Sequence, residues 1–104
     1  MSEILINNTN ATIPTTSMII SRAMHNSNRI SIIIKNTSTL AEVVTLGIGA
    51  NAIAGRGLVL NAGETVSFSK DGGYMPPNDQ INAIASAGTA TLAIFEEIEV
   101  REVN

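Results

Sequence analysis

The most constraining feature of this sequence is an alternation of side chains in its central third. Ile30, Ile32 and Ile34 share one parity, and Ser31, Ile33 and Lys35 share the other, with Ile33 as an extra apolar residue on the outer face. A period of two residues is typical of a β-strand with one buried face, whereas a helix repeats every 3.6 residues. No segment shows a long helical period with capping residues, so the pattern predicts a protein built from strands.

Further strands follow from the same reasoning, because short apolar runs recur about every ten residues with polar turns between them. The predicted strands cover residues 16–23, 29–35, 42–48, 57–60, 65–69, 80–85 and 89–100. We therefore predict an all-β fold, a single-domain antiparallel β-sandwich or jelly roll with roughly seven to eight short strands. Hydrophobic residues make up 44% of the chain and aromatic residues only 3%, so aliphatic side chains must fill the core.

The chain of 104 residues predicts one sandwich domain with a short segment on either side. We expect an N-terminal arm at residues 1–14, the sandwich at residues 15–97 and a C-terminal extension at residues 98–104. Glu96 interrupts the apolar parity of the last strand, which indicates either a β-bulge near Glu96 or departure of the strand from the core. We favour departure from the core.

A hairpin is predicted between Gly55 and Phe68. Two apolar runs flank the four-residue loop Asn61–Glu64, and Gly63 is suited to a positive φ in that loop.

Catalytic chemistry finds little support in the residue types present. The single histidine, His25, lies in a polar turn and has neither a second histidine nor a cysteine to work with. Glu96, Glu97 and Glu99 could be imagined as glycosidase carboxylates, but a solvated strand edge explains them better. We therefore predict that the protein is not an enzyme.

Cofactor and metal sites are equally poorly supported. Gly47-x-Gly49-x-x-Ala52 matches a relaxed dinucleotide fingerprint, but glycines follow where that motif requires a helix, so we interpret Gly47 and Gly49 as turn and close-approach positions. Asp71 and Asp79 flank a loop and are interpreted as turn residues more readily than as calcium ligands. We expect no cofactor and no metal.

Charge and aromatic content argue against a nucleic-acid partner. The net charge is −3, and the three aromatic residues, Phe68, Tyr74 and Phe95, are too scattered to form a stacking platform. Residues Met1–Ile4 show no basic region followed by a long apolar run, so we expect no secretory signal, and no apolar run is long enough for a membrane span. We expect synthesis in the cytoplasm and no membrane partner.

Two arginines are candidates for contacts between subunits. Arg29 begins the strongest strand and could tie down a neighbouring loop or a partner carboxylate, although an arginine that caps a sheet edge is the simpler interpretation. Arg56 lies between two glycines in a predicted exposed loop.

Several segments together resemble small β-sandwich structural proteins of tailed-phage virions, of the capsid decoration or cement type. The similar segments are Asn28–Ser38, Val44–Gly49, Gly57–Glu64, Ile81–Ala85 and Gly88–Glu96, within residues 15–97.

The resemblance implies a virion structural protein on the outer surface of a phage head, where it stabilises the joints between shell subunits. Its implied partners are the major capsid protein and other copies of itself, commonly as a homotrimer. Apolar terminal segments would add strands to neighbouring proteins. The contacts predicted on this hypothesis are Ile4, Leu5, Ile6, Arg29, Arg56, Ile98, Val100 and Val103.

The alternative is a carbohydrate- or receptor-binding module of a tail fibre or cell surface. Sugar-binding faces are commonly built from aromatic planes, and this chain has no tryptophan and one tyrosine.

Overall fold

The computed structural model describes residues 2–23, 27–69 and 78–101. Every regular element in these ranges is a β-strand, and none of the described residues forms a helix of the length and apolarity that membrane crossing requires. The strands are β1 Ser2–Ile13, β2 Met18–Ser21, β3 Ser27–Asn36, β4 Val44–Ile48, β5 Leu58–Leu60, β6 Thr65–Ser69, β7 Ile81–Ala85 and β8 Ala90–Arg101.

The strands form two four-stranded antiparallel sheets, one of which contains the longer strands. The long sheet has the order β1-β8-β3-β6, and the short sheet has the order β2-β7-β4-β5. Every connection between consecutive strands crosses from one sheet to the other, except that between β4 and β5. This order of eight strands is that of a jelly roll. The predicted all-β sandwich is therefore confirmed.

Aliphatic side chains fill the space between the sheets, as the composition predicts. The alternation in β3 is confirmed, because Ile32 and Ile34 are buried while Ile33 and Lys35 are exposed. The buried cluster is Ile13, Ile32, Ile34, Val44, Leu46, Leu60, Ile81, Ala83, Ala85, Ala90, Leu92 and Ile94.

The predicted hairpin is wrong in its pairing, although its turn is present. Gly63 has a φ of 86°, and the amide of Glu64 donates to the carbonyl of Asn61 at 2.9 Å. However, β5 belongs to the short sheet and β6 to the long sheet. The turn carries the chain across the sandwich because both Gly63 and Glu64 form backbone hydrogen bonds with Asn36 at the end of β3.

Asn36 also ties the two sheets together through its side chain, which is fully buried. Its Nδ2 donates to the carbonyl oxygens of Glu42 at 2.9 Å and Leu60 at 3.0 Å, and its Oδ1 accepts from the amide of Ser38 at 3.1 Å. This buried amide therefore links the end of β3 to β5 and to the loop before β4, with its own donors and acceptor satisfied.

The interpretation of Gly47 and Gly49 as close-approach and turn positions is confirmed. A Cβ atom at Gly47 would lie 2.9 Å from the Cα of Ala52, and Gly49 has a φ of 78°. Side chains other than hydrogen are therefore disfavoured at both positions.

The sandwich includes residues that the sequence analysis assigns to the N-terminal arm and the C-terminal extension. Residues 2–13 of the predicted arm form β1, which pairs with β8 from Ser2–Arg101 to Ile13–Ala90, and residues 98–101 of the predicted extension belong to β8. Both segments lie in the long sheet because each satisfies the backbone hydrogen bonds of the other.

Candidate assembly surface

A β-bulge in β3 decides which side chains enter the far end of the sandwich. The pairing of β3 with β8 runs from Asn36–Leu92 to Ser31–Glu97 and then shifts, so that Arg29 lies opposite Ile98 and Ile30 is the extra residue. If side chains alternated along β3 without a bulge, Arg29 would lie on the outer face of the sheet with Ser31. The bulge instead turns Arg29 toward the interior.

The interior position of Arg29 explains the glutamate in the apolar parity of β8. Arg29 is 1% exposed and Glu96 is 7% exposed. The Nε of Arg29 donates to Oε2 of Glu96 at 2.9 Å, and the hydroxyl of Ser21 donates to the same oxygen at 2.8 Å. The Nη2 of Arg29 lies 2.6 Å from the Ser21 hydroxyl oxygen. The cluster of Ser21, Arg29 and Glu96 therefore connects β2 in the short sheet to β3 and β8 in the long sheet.

Arg29 also holds two loop segments at this end. Its guanidinium donates to the carbonyl oxygens of Arg22 and Asp79, each at 2.7 Å. Its amide donates to Oδ1 of Asn78 at 3.0 Å, and Nδ2 of Asn78 donates to the side chain of Asn28 at 2.8 Å. The prediction that the arginine fork ties down a neighbouring loop is thus confirmed, and the interpretation as an edge cap is wrong.

The predicted departure of β8 from the core at Glu96 is wrong for the same reason. Burial continues to alternate along β8 past Glu96, and Ile98 is buried. The strand remains in the long sheet, paired with β1 and β3, because the buried carboxylate has a buried cation as its partner. Ile98, which the sequence predicts as a contact residue, is therefore buried inside the chain.

The edge of the long sheet at β1 is the most exposed apolar surface near these residues. Ile4, Leu5 and Ile6 are 50%, 47% and 59% exposed. Ile4 and Ile6 lie on the outer face opposite Glu99 and Glu97, and Leu5 lies on the inner face opposite Ile98. Three consecutive apolar residues thus expose apolar surface on both faces of one edge strand.

Nothing in the sequence of β1 protects this edge in the ways that natural sheets usually do. The strand is 12 residues long, its register with β8 has no shift, and it contains no proline. Glu3 is its one charged residue. In an antiparallel pair, alternate residues direct their backbone groups away from the partner strand, so the free edge of β1 presents a row of donors and acceptors that no described strand pairs. Long, regular and apolar edges are sites of pairing with other chains.

The remaining edges are short. β6 spans five residues, β2 four and β5 three, and the register of β2 is interrupted between Ile19 and Ser21. Short or irregular edges offer few consecutive hydrogen bonds to a partner. The β1 edge is therefore the strongest candidate for assembly among the described strands.

The predicted contact residues differ in their exposure. Ile4, Leu5 and Ile6 are exposed together on β1, and the side chain of Arg56 is exposed in the loop between β4 and β5. Arg29 and Ile98 are buried inside the chain, so neither offers a direct contact, while Val100 is half-buried. Val103 lies outside the described residues, as do His25, Asp71 and Tyr74.

The described residues contain no cluster of three or more histidine, cysteine, aspartate or glutamate side chains that could hold a metal ion. Glu97 is engaged by the hydroxyl of Ser31 at 2.8 Å, on the opposite face of β8 from Glu96. The acidic residues near the end of β8 are thus distributed over both faces.

Comparison with solved structures finds a fold of the same kind in a bacterial surface appendage. The chain is similar to a protein from the study "Bacillus endospore appendages form a novel family of disulfide-linked pili", with a TM-score of 0.56 and 17% sequence identity. The likeness covers 99% of this chain and 92% of that chain, and it shows the fold alone. No family model and no curated protein matches the sequence.

Proposed function

We propose that this protein is a structural subunit of a repetitive protein assembly, which it joins by adding the free edge of β1 to another protein chain. The observation that carries the proposal is the 12-residue, regular, unprotected edge of β1 with Ile4, Leu5 and Ile6 exposed on it. Backbone pairing would supply the affinity, and the three apolar side chains would supply further buried area.

The likeness to an appendage subunit supports the structural class of this function. The related structure belongs to disulfide-linked pili, whereas the present sequence contains no cysteine. These 104 residues therefore cannot contribute disulfide links, and we propose that backbone pairing takes their place in the joint with a neighbour. A long regular edge strand is well suited to such a joint, because its strength grows with the number of paired residues.

Within this class, the sequence resemblance to phage decoration proteins favours a role on the outer surface of a phage head. In that role the chain would bind the major capsid protein, self-associate as a homotrimer, stabilise joints between shell subunits and have no catalytic activity. The net charge of −3 suits a solvent-facing protein. A pilus-like filament of the chain alone is the second form of assembly, and the fold likeness favours it.

Sedimentation of the full chain across a range of concentrations tests the proposal. The comparison is between the natural chain, the double variant Ile4→Lys/Ile6→Lys and the control Ser67→Lys. Lysine on an edge strand opposes pairing with another strand. Ser67 is exposed on the outer face of β6, so its substitution adds charge to the opposite edge of the same sheet.

We expect the natural chain and the Ser67→Lys control to associate, and the double variant to require at least about tenfold higher concentration, equivalent to about 1.4 kcal/mol. Association that is equal in all three would contradict the proposal. Co-sedimentation with phage heads that lack decoration protein separates the two forms: binding to heads identifies a decoration protein, and filaments in electron micrographs identify an appendage.

A further inference from the structure

A shallow groove crosses the outer face of the long sheet, in the rows of side chains that follow Ile6 on β1. It has a volume of about 210 Å³ and spans β1, β8 and β3. The strand register places two rows of side chains across it, Asn10–Ala93–Lys35 and Asn8–Phe95–Ile33. The groove forms because the methyl group of Ala93 lies between two longer side chains, which leaves a depression in the middle of the sheet.

The floor and wall of the groove are apolar. Ala93 and Phe95 are half-buried on β8, and Ile33 on β3 is 40% exposed. An aromatic side chain beside an aliphatic one provides a flat apolar surface for the C–H face of a ring.

The polar side chains at the rim have no hydrogen-bond partner within the part of the chain that the structure describes. These residues are Asn8, Asn10 and Lys35, and all three are exposed. Their neighbours on the same face behave differently, because the hydroxyl of Ser31 is bound to Glu97 and those of Thr37 and Thr91 are bound to each other at 2.8 Å. The donors and acceptors of the rim therefore remain available to a ligand.

Size and charge restrict the ligand class. A volume of about 210 Å³ lies below the roughly 300–1,000 Å³ of sites for drug-sized molecules, which suits a single ring. Two amides at the rim match the hydroxyl groups of a sugar, since an amide both donates and accepts. Among the described residues, Lys35 is the only charged side chain that lines the groove, and its charge is complementary to that of an anionic ligand.

From these observations we propose that the groove binds a carboxylate-bearing pyranose at the end of a glycan chain. The apolar C–H face of the ring lies on Ala93, Phe95 and Ile33, the carboxylate contacts Lys35, and ring hydroxyls contact Asn8 and Asn10. One such site is weak because it is shallow and exposed, but an assembly of many copies would bind a glycan-coated surface with high avidity. The scarcity of aromatic residues does not exclude this site, because one phenylalanine and two aliphatic residues form its floor.

Titration of the isotope-labelled full chain with methyl glucuronide, followed by NMR, tests the site. Methyl glucoside is the neutral comparison ligand. We expect saturable shifts confined to the resonances around Ala93, Phe95 and Ile33, and weaker binding of the neutral sugar. Ala93→Leu fills the groove and should abolish binding, and Lys35→Gln should weaken glucuronide binding by up to about fivefold and remove the preference over glucoside.

Thr65→Ala, on the same face of the sheet but outside the groove, is the matched control and should bind as the natural chain does. Absence of saturable shifts with either sugar would overturn the proposal. So would binding that Ala93→Leu leaves unchanged in a folded variant. A change in native mass caused by Ala93→Leu would overturn it as well, because the groove would then hold a side chain of a second copy.

Discussion

The two edges of the long sheet differ in almost every property that controls pairing with another chain. β1 presents 12 residues in unbroken register with exposed Ile4, Leu5 and Ile6, whereas β6 presents five residues. On β6 the apolar side chains, Val66 and Phe68, point inward to the core, and hydroxyl residues occupy the outer face. β1 therefore exposes apolar side chains to solvent, whereas β6 exposes hydroxyl side chains.

The β1 edge is exposed although the sheet beside it is well formed. β1 is supported along its whole length by β8, and β8 is held in place at its far end by the buried pair of Arg29 and Glu96. On the proposed function, the β1 edge is the one that receives a partner strand, and the shorter β6 edge is not.

We expect the greatest loss of stability from breaking the buried ion pair of Arg29 and Glu96, which holds β8 in place next to β1. Glu96→Ala leaves the guanidinium of Arg29 buried without its counter-charge, and we expect the free energy of unfolding to fall by about 3–5 kcal/mol. Chemical denaturation measures this change. The matched control is Glu97→Ala on the solvent face, for which we expect a loss of about 1 kcal/mol or less. Equal losses in the two variants would show that the pair does not hold β8 in place.

A complementary effect is expected when both partners are replaced together. Arg29→Met/Glu96→Leu removes both charges from the interior, and apolar replacements of buried ion pairs are often neutral or stabilising. We expect the double variant to be more stable than Glu96→Ala by at least about 2 kcal/mol in the same denaturation experiment. A double variant as unstable as the single one would mean that the loop contacts of Arg29, not its charge, are the dominant contribution.

An intermediate effect is expected at the corner that positions β6. Asn36→Ala leaves the carbonyl oxygens of Glu42 and Leu60 without their donor, which should cost about 1–3 kcal/mol of stability. Asn10→Ala, at an exposed position on β1, is the control and should change stability by less than about 0.5 kcal/mol. Thermal or chemical unfolding distinguishes the two. Little effect of Asn36→Ala would mean that water replaces the amide and that this corner is open to solvent.

The smallest expected effect on stability is at the two edges themselves. Ile4→Lys/Ile6→Lys and Ser67→Lys change exposed side chains, so each should alter the free energy of unfolding by less than about 1 kcal/mol. Denaturation midpoints check this point. A large loss in the β1 variant would instead mean that Ile4 and Ile6 stabilise the monomer.

The fold was predictable because local alternation survives in most strands. The buried face can be recognised in the sequence at Ile32 and Ile34 of β3, and likewise at the alternating apolar residues of β8. The pairing of strands was not predictable at β5 and β6, since the turn at Gly63 has the sequence of a hairpin loop and only the contacts of Asn36 direct the chain to the opposite sheet.

The buried ion pair of Arg29 and Glu96 was not predictable for a related reason. Glu96 is recognisable in the sequence as a charged residue among apolar residues of the same parity, but its partner Arg29 has the parity of a residue on the outer face. The bulge at Ile30 reverses that parity, and no residue pattern marks the bulge in advance. The exposed residues Ile4, Leu5 and Ile6 were identifiable because an apolar run followed by polar asparagines lies at the start of the chain.

The most direct test of the central claim is the native mass of the full chain and of the Ile4→Lys/Ile6→Lys variant over the same range of concentrations. We expect the natural chain to form oligomers or filaments as concentration rises, and the variant to need at least about tenfold higher concentration to do so while retaining its β-sheet circular dichroism. A natural chain that is monomeric throughout and binds no phage head, or a variant that assembles equally well, would contradict the central claim.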